Sequence, residues 1–85
     1  MDLVYNVLVM NNLLTLAHII ANKNKKTIRR VTDNYECAFE YIFIKLVKAS
    51  GKTVSVLSED ELEKYHEATN SAYNSIADYL DYLCD

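Results

Sequence analysis

The amino-acid sequence predicts a small all-α protein, a three-helix bundle with helices at about residues 2–22, 27–50 and 58–84. Proline is absent and glycine occurs once, so few positions suit the tight turns that a sheet protein needs. Hydrophobic residues make up 51% of the chain, which is enough for a core and argues against disorder. Over most of the chain they recur at steps of three and four, the spacing of an amphipathic helix. With 85 residues, the chain (1–85) is expected to be one domain.

The first helix is predicted over residues 2–22, which carry an apolar face and a polar stripe. The polar groups argue against a membrane span, and the lack of positive charge before the apolar run argues against a signal peptide. The first two turns are apolar on nearly every side, so we expect the domain or a second chain to cover them. The alternative is a strand at residues 3–9, followed by a shorter helix capped at Asn11 or Asn12. The polar stripe consists of Asn11, Thr15, His18 and Asn22.

Residues 22–30 are interpreted as a loop or corner between the first two helices, because Asn22 and Asn24 tolerate the conformation that ends helices. This segment is strongly basic, and we expect either a solvated corner or a contact with an anion. The anion would be a phosphate backbone or an acidic protein surface. The bases are Lys23, Lys25, Lys26, Arg29 and Arg30.

The second helix is predicted over residues 27–50, where apolar residues keep helical spacing. Asp33 with Glu36 forms a second capping pattern, so a start near residue 33 is the alternative. Residues 37–47 are apolar on most sides and are expected at the centre of the domain, with Cys37 in the core. Gly51 follows as the predicted helix stop, and the alternation at residues 52–57 also suits a short extended segment.

The third helix is predicted over residues 58–84, and Ser58 with Glu61 marks its start as a capping box. One face is an apolar seam, and the opposite face is acidic and polar. In an up-down-up bundle this helix ends beside the basic corner, so its C-terminal acids are expected near those bases. The acidic and polar positions are Asp60, Glu63, Glu67, Asn70, Asn74, Asp78, Asp81 and Asp85.

Charge is divided unevenly along the chain, although the net charge is only −3. Residues 1–57 hold eight bases and four acids, and residues 58–85 hold one base and eight acids. The two parts therefore carry net charges of +4 and −7. This asymmetry is the most unusual feature of the composition.

No sequence motif points to catalysis, so the protein is expected not to be an enzyme and to need no metal or cofactor. One glycine cannot build a phosphate-binding loop, and the carboxylates of the third helix lie on a solvated face rather than in a pocket. His18 has no acid or nucleophile one turn away and is interpreted as an ordinary edge residue. Cys37 and Cys84 are too few for a disulfide framework and are expected to be free thiols, which favours a cytoplasmic location.

The start of the third helix resembles part of a known family. Residues 57–62, followed by Tyr65 and Ala68, are similar to the segment LSxxELxxF/YxxA of the Hha/YmoA family of small nucleoid modulators. The resemblance implies a small helical protein that binds the nucleoid protein H-NS. It spans residues 57–68, and the first fifty residues have no clear counterpart.

Aromatic and acidic groups on one helix suit a basic partner, so the leading hypothesis is a small regulatory module that binds another protein. An inhibitor from a phage or mobile element that imitates nucleic acid belongs to this class. One alternative is a nucleic-acid-associated or nucleoid-modulating regulator that uses residues 23–30. Others are a helical immunity or membrane-surface protein, and a homodimer through the apolar faces of the first two helices. The candidate partner-binding residues are Glu63, Glu67, Tyr65, Tyr73, Asp78, Asp81 and Tyr82.

Overall fold

The computed structural model describes residues 2–32 and 34–80, with side chains from residue 12 onward except in the interval between the two ranges. These ranges form three α-helices: α1 (Asp2–Val31), α2 (Tyr35–Ala49) and α3 (Glu59–Ile76). A short 3-10 helix at Val54–Val56 lies between α2 and α3. The predicted all-α three-helix fold is confirmed.

Helix α1 is longer than predicted, because it continues through the basic segment to Val31. Asn22 and Asn24, which were expected to end the helix, bond within it. Their side-chain amides donate to the carbonyls of His18 and Ile20, one turn earlier, at 2.9 and 2.8 Å. The predicted corner at residues 22–30 is therefore wrong, as is the alternative strand at residues 3–9, since both segments belong to α1.

Helix α2 begins at Tyr35 and not at residue 27. Asn34 caps it, with a side-chain oxygen that accepts from the backbone N–H of Cys37 at 2.9 Å. The alternative cap, Asp33, lies outside the described residues. This start also corrects the placement of Cys37, which is exposed because the core side of α2 carries Ala38 and Ile42. Gly51 follows α2 with a φ of 76°, as a left-handed helix stop.

The connection between α2 and α3 is not a strand. Residues 54–56 form a 3-10 turn, and the extended conformation is limited to the flanking Thr53 and Leu57. Val54 and Val56 are exposed, at 47% and 67%. A lone extended segment would leave its backbone groups without a partner strand, and the 3-10 turn closes Val56 N–H onto Thr53 O at 3.1 Å.

Helix α3 has the predicted capping box at its start. The Ser58 hydroxyl accepts from the Glu61 backbone N–H at 3.2 Å, and a Glu61 carboxylate oxygen accepts from the Ser58 N–H at 3.0 Å. The helix ends at Ile76 and passes into a turn at residues 77–80, where Leu80 N–H donates to Ile76 O at 3.1 Å. The prediction that the helix continues to residue 84 is therefore wrong for residues 77–80, and residues 81–85 lie outside the described residues.

Contacts between α1 and α3 show that these two helices run parallel. His18 lies beside Ser71, at 3.0 Å between the imidazole Nε2 and the hydroxyl oxygen. Further along both segments, Lys25 and Arg29 lie over the ring of Tyr79. Because the residue numbers rise together, the end of the α3 segment meets the basic part of α1.

Helix α2 runs antiparallel to α3. Tyr35, at the start of α2, contacts Tyr73 near the end of α3. Phe43, two turns later, contacts His66 in the middle of α3. The order is therefore up-down-up, as the apolar pattern and the short connections predicted.

Fully buried alanines let the three helices approach one another closely. Between them, larger aliphatic side chains fill the centre. The hydroxyl of Thr69, buried among them, donates to the carbonyl of Tyr65 at 2.7 Å. The alanines are Ala17, Ala21, Ala38, Ala68 and Ala72, and the larger groups include Ile28, Ile42, Leu46, Val47 and Leu80.

Candidate protein-binding site

The outer side of α3 carries an acidic face, a name used here for Asp60, Glu63 and Glu67. All three are exposed, as the helical spacing predicted. Glu63 and Glu67 are one turn apart, so their carboxylates lie next to each other on the helix surface. Within residues 12–32 and 34–80, neither forms an ion pair. These two carboxylates are available to a cation outside the chain.

Two of the predicted contact tyrosines do not belong to this surface. Tyr65 and Tyr73 are each only 5% exposed and lie in the core. They occupy the inner side of α3 together with Thr69 and Ala72, where their rings supply apolar contact area. Their proposed role as surface anchors is therefore wrong. Asp81 and Tyr82 lie outside the described residues, and Asp78 is exposed.

Three neighbouring aromatic rings form a surface where α2 meets α3, and this surface is called the aromatic groove: Tyr35, Phe39 and His66. The His66 ring centroid is 5.9 Å from that of Phe39, and the Phe39 centroid is 6.0 Å from that of Tyr35. The ring of Tyr35 also meets that of Tyr73 edge-on, with centroids 4.8 Å apart. Tyr35 nevertheless remains 45% exposed, so this groove is an aromatic surface open to solvent.

Carboxylates flank this aromatic groove on the α2 side. An open depression of about 240 Å³ is lined by Tyr35, Glu36, Phe39 and Glu40. Glu36 and Glu40 are one helical turn apart and both are exposed. The depression therefore combines ring surface with two hydrogen-bond acceptors.

This groove was not predicted from the sequence. Phe39 belongs to residues 37–47, which were expected at the centre of the domain. The apolar positions of α2 extend around more of the helix than its inner side, which carries Ala38, Ile42 and Leu46, but this pattern does not show which helix the outer rings meet.

The structure divides the five predicted anion-binding residues into two sets. Lys25 and Arg29 turn toward α3, where their charged groups lie 5.1 and 5.4 Å from the centre of the Tyr79 ring. The other three are exposed at steps of three and four along α1, and are called the basic stripe: Lys23, Lys26 and Arg30. As predicted, the segment that follows α3 meets the basic part of α1. The contact is made by the Tyr79 ring. Asp78, which was expected near these bases together with Asp81 and Asp85, forms no ion pair within the described residues. Asp81 and Asp85 lie outside the described residues.

Glu61 has a structural role next to the acidic face. Lys52 Nζ lies 2.5 Å from its carboxylate. This hydrogen bond is the main cause, with the Ser58 backbone bond second, of a Glu61 pKa lowered to about 2 from the ordinary 4.5. The contact ties the connection after α2 to the first turn of α3.

His18 has a partner that the sequence did not indicate, since its contact with Ser71 joins two helices. The pair is partly buried and bridges α1 and α3. In the described ranges, no group of three His, Cys, Asp or Glu side chains is arranged to hold a metal ion. Over the same ranges, no helix has the length and apolar character needed to cross a bilayer.

Comparisons with protein-family models, with curated proteins and with solved structures returned no match. The resemblance at residues 57–68 therefore rests on those positions alone. In the structure they build a capped amphipathic helix: Ser58 and Glu61 form the capping box, and Tyr65 and Ala68 are buried. These structural roles account for the pattern.

Proposed function

We propose that this protein is a regulatory module that binds a basic surface of another protein through the acidic face of α3, and that it acts by occupying that surface rather than by catalysis. The observation that carries the proposal is the pair Glu63 and Glu67, exposed and without an ion-pair partner in the described residues. An inhibitor from a phage or mobile element fits this class.

The rigidity of α3 supports this assignment. The helix is capped at its start and buries six residues along its inner side, so its backbone is ordered before a partner binds. Binding then costs the rotamer entropy of Glu63 and Glu67 but no folding of the helix. Complementary charge also raises the association rate and disfavours acidic partners.

The experiment is a capture assay from lysate with two variants of equal net charge. Glu63→Gln/Glu67→Gln removes two charges from the acidic face, and Asn12→Lys/Thr15→Lys adds two to exposed positions of α1. Each raises the net charge from −3 to −1. We expect the first to lose basic partner proteins and the second to retain them. Recovery of the same proteins with both variants would contradict the proposal.

A second candidate function is contact with a phosphate backbone through the basic stripe. The observation that favours it is that Lys23, Lys26 and Arg30 share one exposed side of α1. Three phosphate contacts predict that the logarithm of the affinity for duplex DNA falls with the logarithm of salt concentration with a slope of about −2.7. Fluorescence anisotropy with labelled DNA, with wild type beside Lys26→Ala/Arg30→Ala, measures that slope. An unchanged slope in the variant would exclude this surface.

The homodimer through α1 and α2 stays a prediction. The exposed large apolar side chains of the described parts of these helices, which such a contact would use, are Ile19, Val31, Tyr35 and Ile44.

A further inference from the structure

We infer that the aromatic groove between α2 and α3 receives an arginine side chain of the basic partner. This inference rests on the proposed function and deepens it, because it identifies where one side chain is recognised. The acidic face attracts any positively charged surface, and the groove would favour arginine over lysine.

The first support is the open face of Tyr35. Two other tyrosine rings at the surface are already covered by cations of this chain: Lys45 lies 5.3 Å from the Tyr41 centroid, and Lys25 lies 5.1 Å from the Tyr79 centroid. The ring of Tyr35 contacts those of Phe39 and Tyr73, and no cation in the described ranges covers it. With 45% of its surface exposed, it can accept a cation from outside the chain.

The second support is the chemistry of the depression beside that ring. Phe39 lies next to Tyr35 with its ring tilted by 38°, so the two rings form an angled wall. Glu36 and Glu40 lie one turn apart at the same depression. A guanidinium group can stack on the rings with its plane and donate to the carboxylates with its edge. An ammonium group is more strongly hydrated and has no planar face, so lysine would gain less from the same walls.

The third support is the position of the acidic face relative to the groove. His66, which contacts Phe39, is next to Glu67 in sequence and one turn after Glu63. The two exposed carboxylates of α3 therefore lie on the outward side of His66. A basic segment with its arginine in the groove would place neighbouring bases beside Glu63 and Glu67.

The test measures binding of two fluorescent peptides, one of nine arginines and one of nine lysines, by anisotropy. Because an exposed cation–π contact has a modest free energy, we expect wild type to bind the arginine peptide about two- to fivefold more tightly. Tyr35→Ala is expected to remove this preference and to leave the affinity for the lysine peptide unchanged. Glu36→Gln/Glu40→Gln should weaken binding of both peptides and the arginine peptide more. Circular dichroism of each variant verifies the fold.

Several results would overturn the inference. One is equal affinity of wild type for the two peptides, and another is an arginine preference that survives in Tyr35→Ala. A third is self-association in sedimentation that Arg30→Ala abolishes, because the groove would then hold a second copy of this chain. If only these results occur, the proposed function stands. If Glu63→Gln/Glu67→Gln changes neither partner capture nor peptide affinity, the proposed function itself fails.

Discussion

The continuation of α1 through the basic segment can be tested with two isoleucines on the same helix. Ile28 lies in that segment and is fully buried, whereas Ile19 lies nine residues earlier and is 52% exposed. If residues 22–30 were a solvated corner, as predicted, truncation of Ile28 would change the free energy of unfolding little. In the structure, Ile28 reaches the core, so the same substitution should have very different effects at the two positions.

Truncation of a fully buried isoleucine to alanine costs about 2–5 kcal/mol, through lost burial and the cavity that remains. Full burial of an isoleucine side chain stabilises a protein by about 1.5–3 kcal/mol, and Ile19, which is half exposed, contributes about half of that. The better helix propensity of alanine offsets a few tenths of a kcal/mol, so the expected net cost of Ile19→Ala is roughly 0.3–1 kcal/mol. A domain of this length has a free energy of unfolding of about 4–13 kcal/mol. Ile28→Ala therefore removes a substantial part of it.

Urea denaturation followed by far-UV circular dichroism gives both free energies. For Ile28→Ala we expect a loss near 3 kcal/mol, or a melting temperature about 12–24 °C lower. Ile19→Ala should shift it by only a few degrees. A cost for Ile28→Ala below about 1 kcal/mol, or equal to that of Ile19→Ala, would refute the packing of the basic segment against the core.

Three further predictions concern the ends of the helices. Since the pKa of Glu61 is about 2 in the folded chain against an ordinary 4.5, its contribution to stability is present above about pH 4.5 and is lost as the pH falls toward 2. The difference in urea midpoint between wild type and Lys52→Met should accordingly be largest above pH 5 and shrink toward pH 2; a difference independent of pH would contradict this. Asn34→Ala should cost about 1 kcal/mol in thermal unfolding through loss of the α2 cap, while Asn12→Ala, exposed on α1, should cost less than about 0.5. Gly51→Ala should cost roughly 1–2 kcal/mol from the left-handed backbone alone, because the added Cβ has no atom within 4 Å; Gly51→Asn should recover part of that loss, and equal stability of all three chains would show that residue 51 does not hold this conformation.

The helices could be predicted because their signals are local. The steps of three and four, the Ser58–Glu61 box and the single glycine each depend on residues close in sequence. The end of the first helix was predicted wrongly, because an asparagine such as Asn22 can either end a helix or donate a hydrogen bond to the carbonyl one turn earlier. Only the burial of Ile28 against the other helices decides between these.

In the candidate site, too, the features that depend on local sequence could be predicted and those that depend on tertiary contacts could not. Exposure of Glu63 and Glu67 follows from helix periodicity and was predictable. The fate of the tyrosines was not, because a tyrosine ring suits a core as well as a surface, and Tyr65 and Tyr73 prove to be buried. The groove could not be predicted, since it depends on which side of α2 meets His66 of α3.

The parallel alignment of α1 and α3 places the acidic face and the basic stripe far apart along the bundle axis. Glu63 lies two turns before Ser71, and Arg30 lies three turns beyond His18, the residue that Ser71 touches. At 1.5 Å per residue, these charges are about 30 Å apart along the bundle axis. This exceeds the screening length of about 8 Å at physiological salt, so the two regions do not neutralise each other. The acidic face and the basic stripe therefore present two separate local potentials to a partner, although the net charge of the chain is only −3.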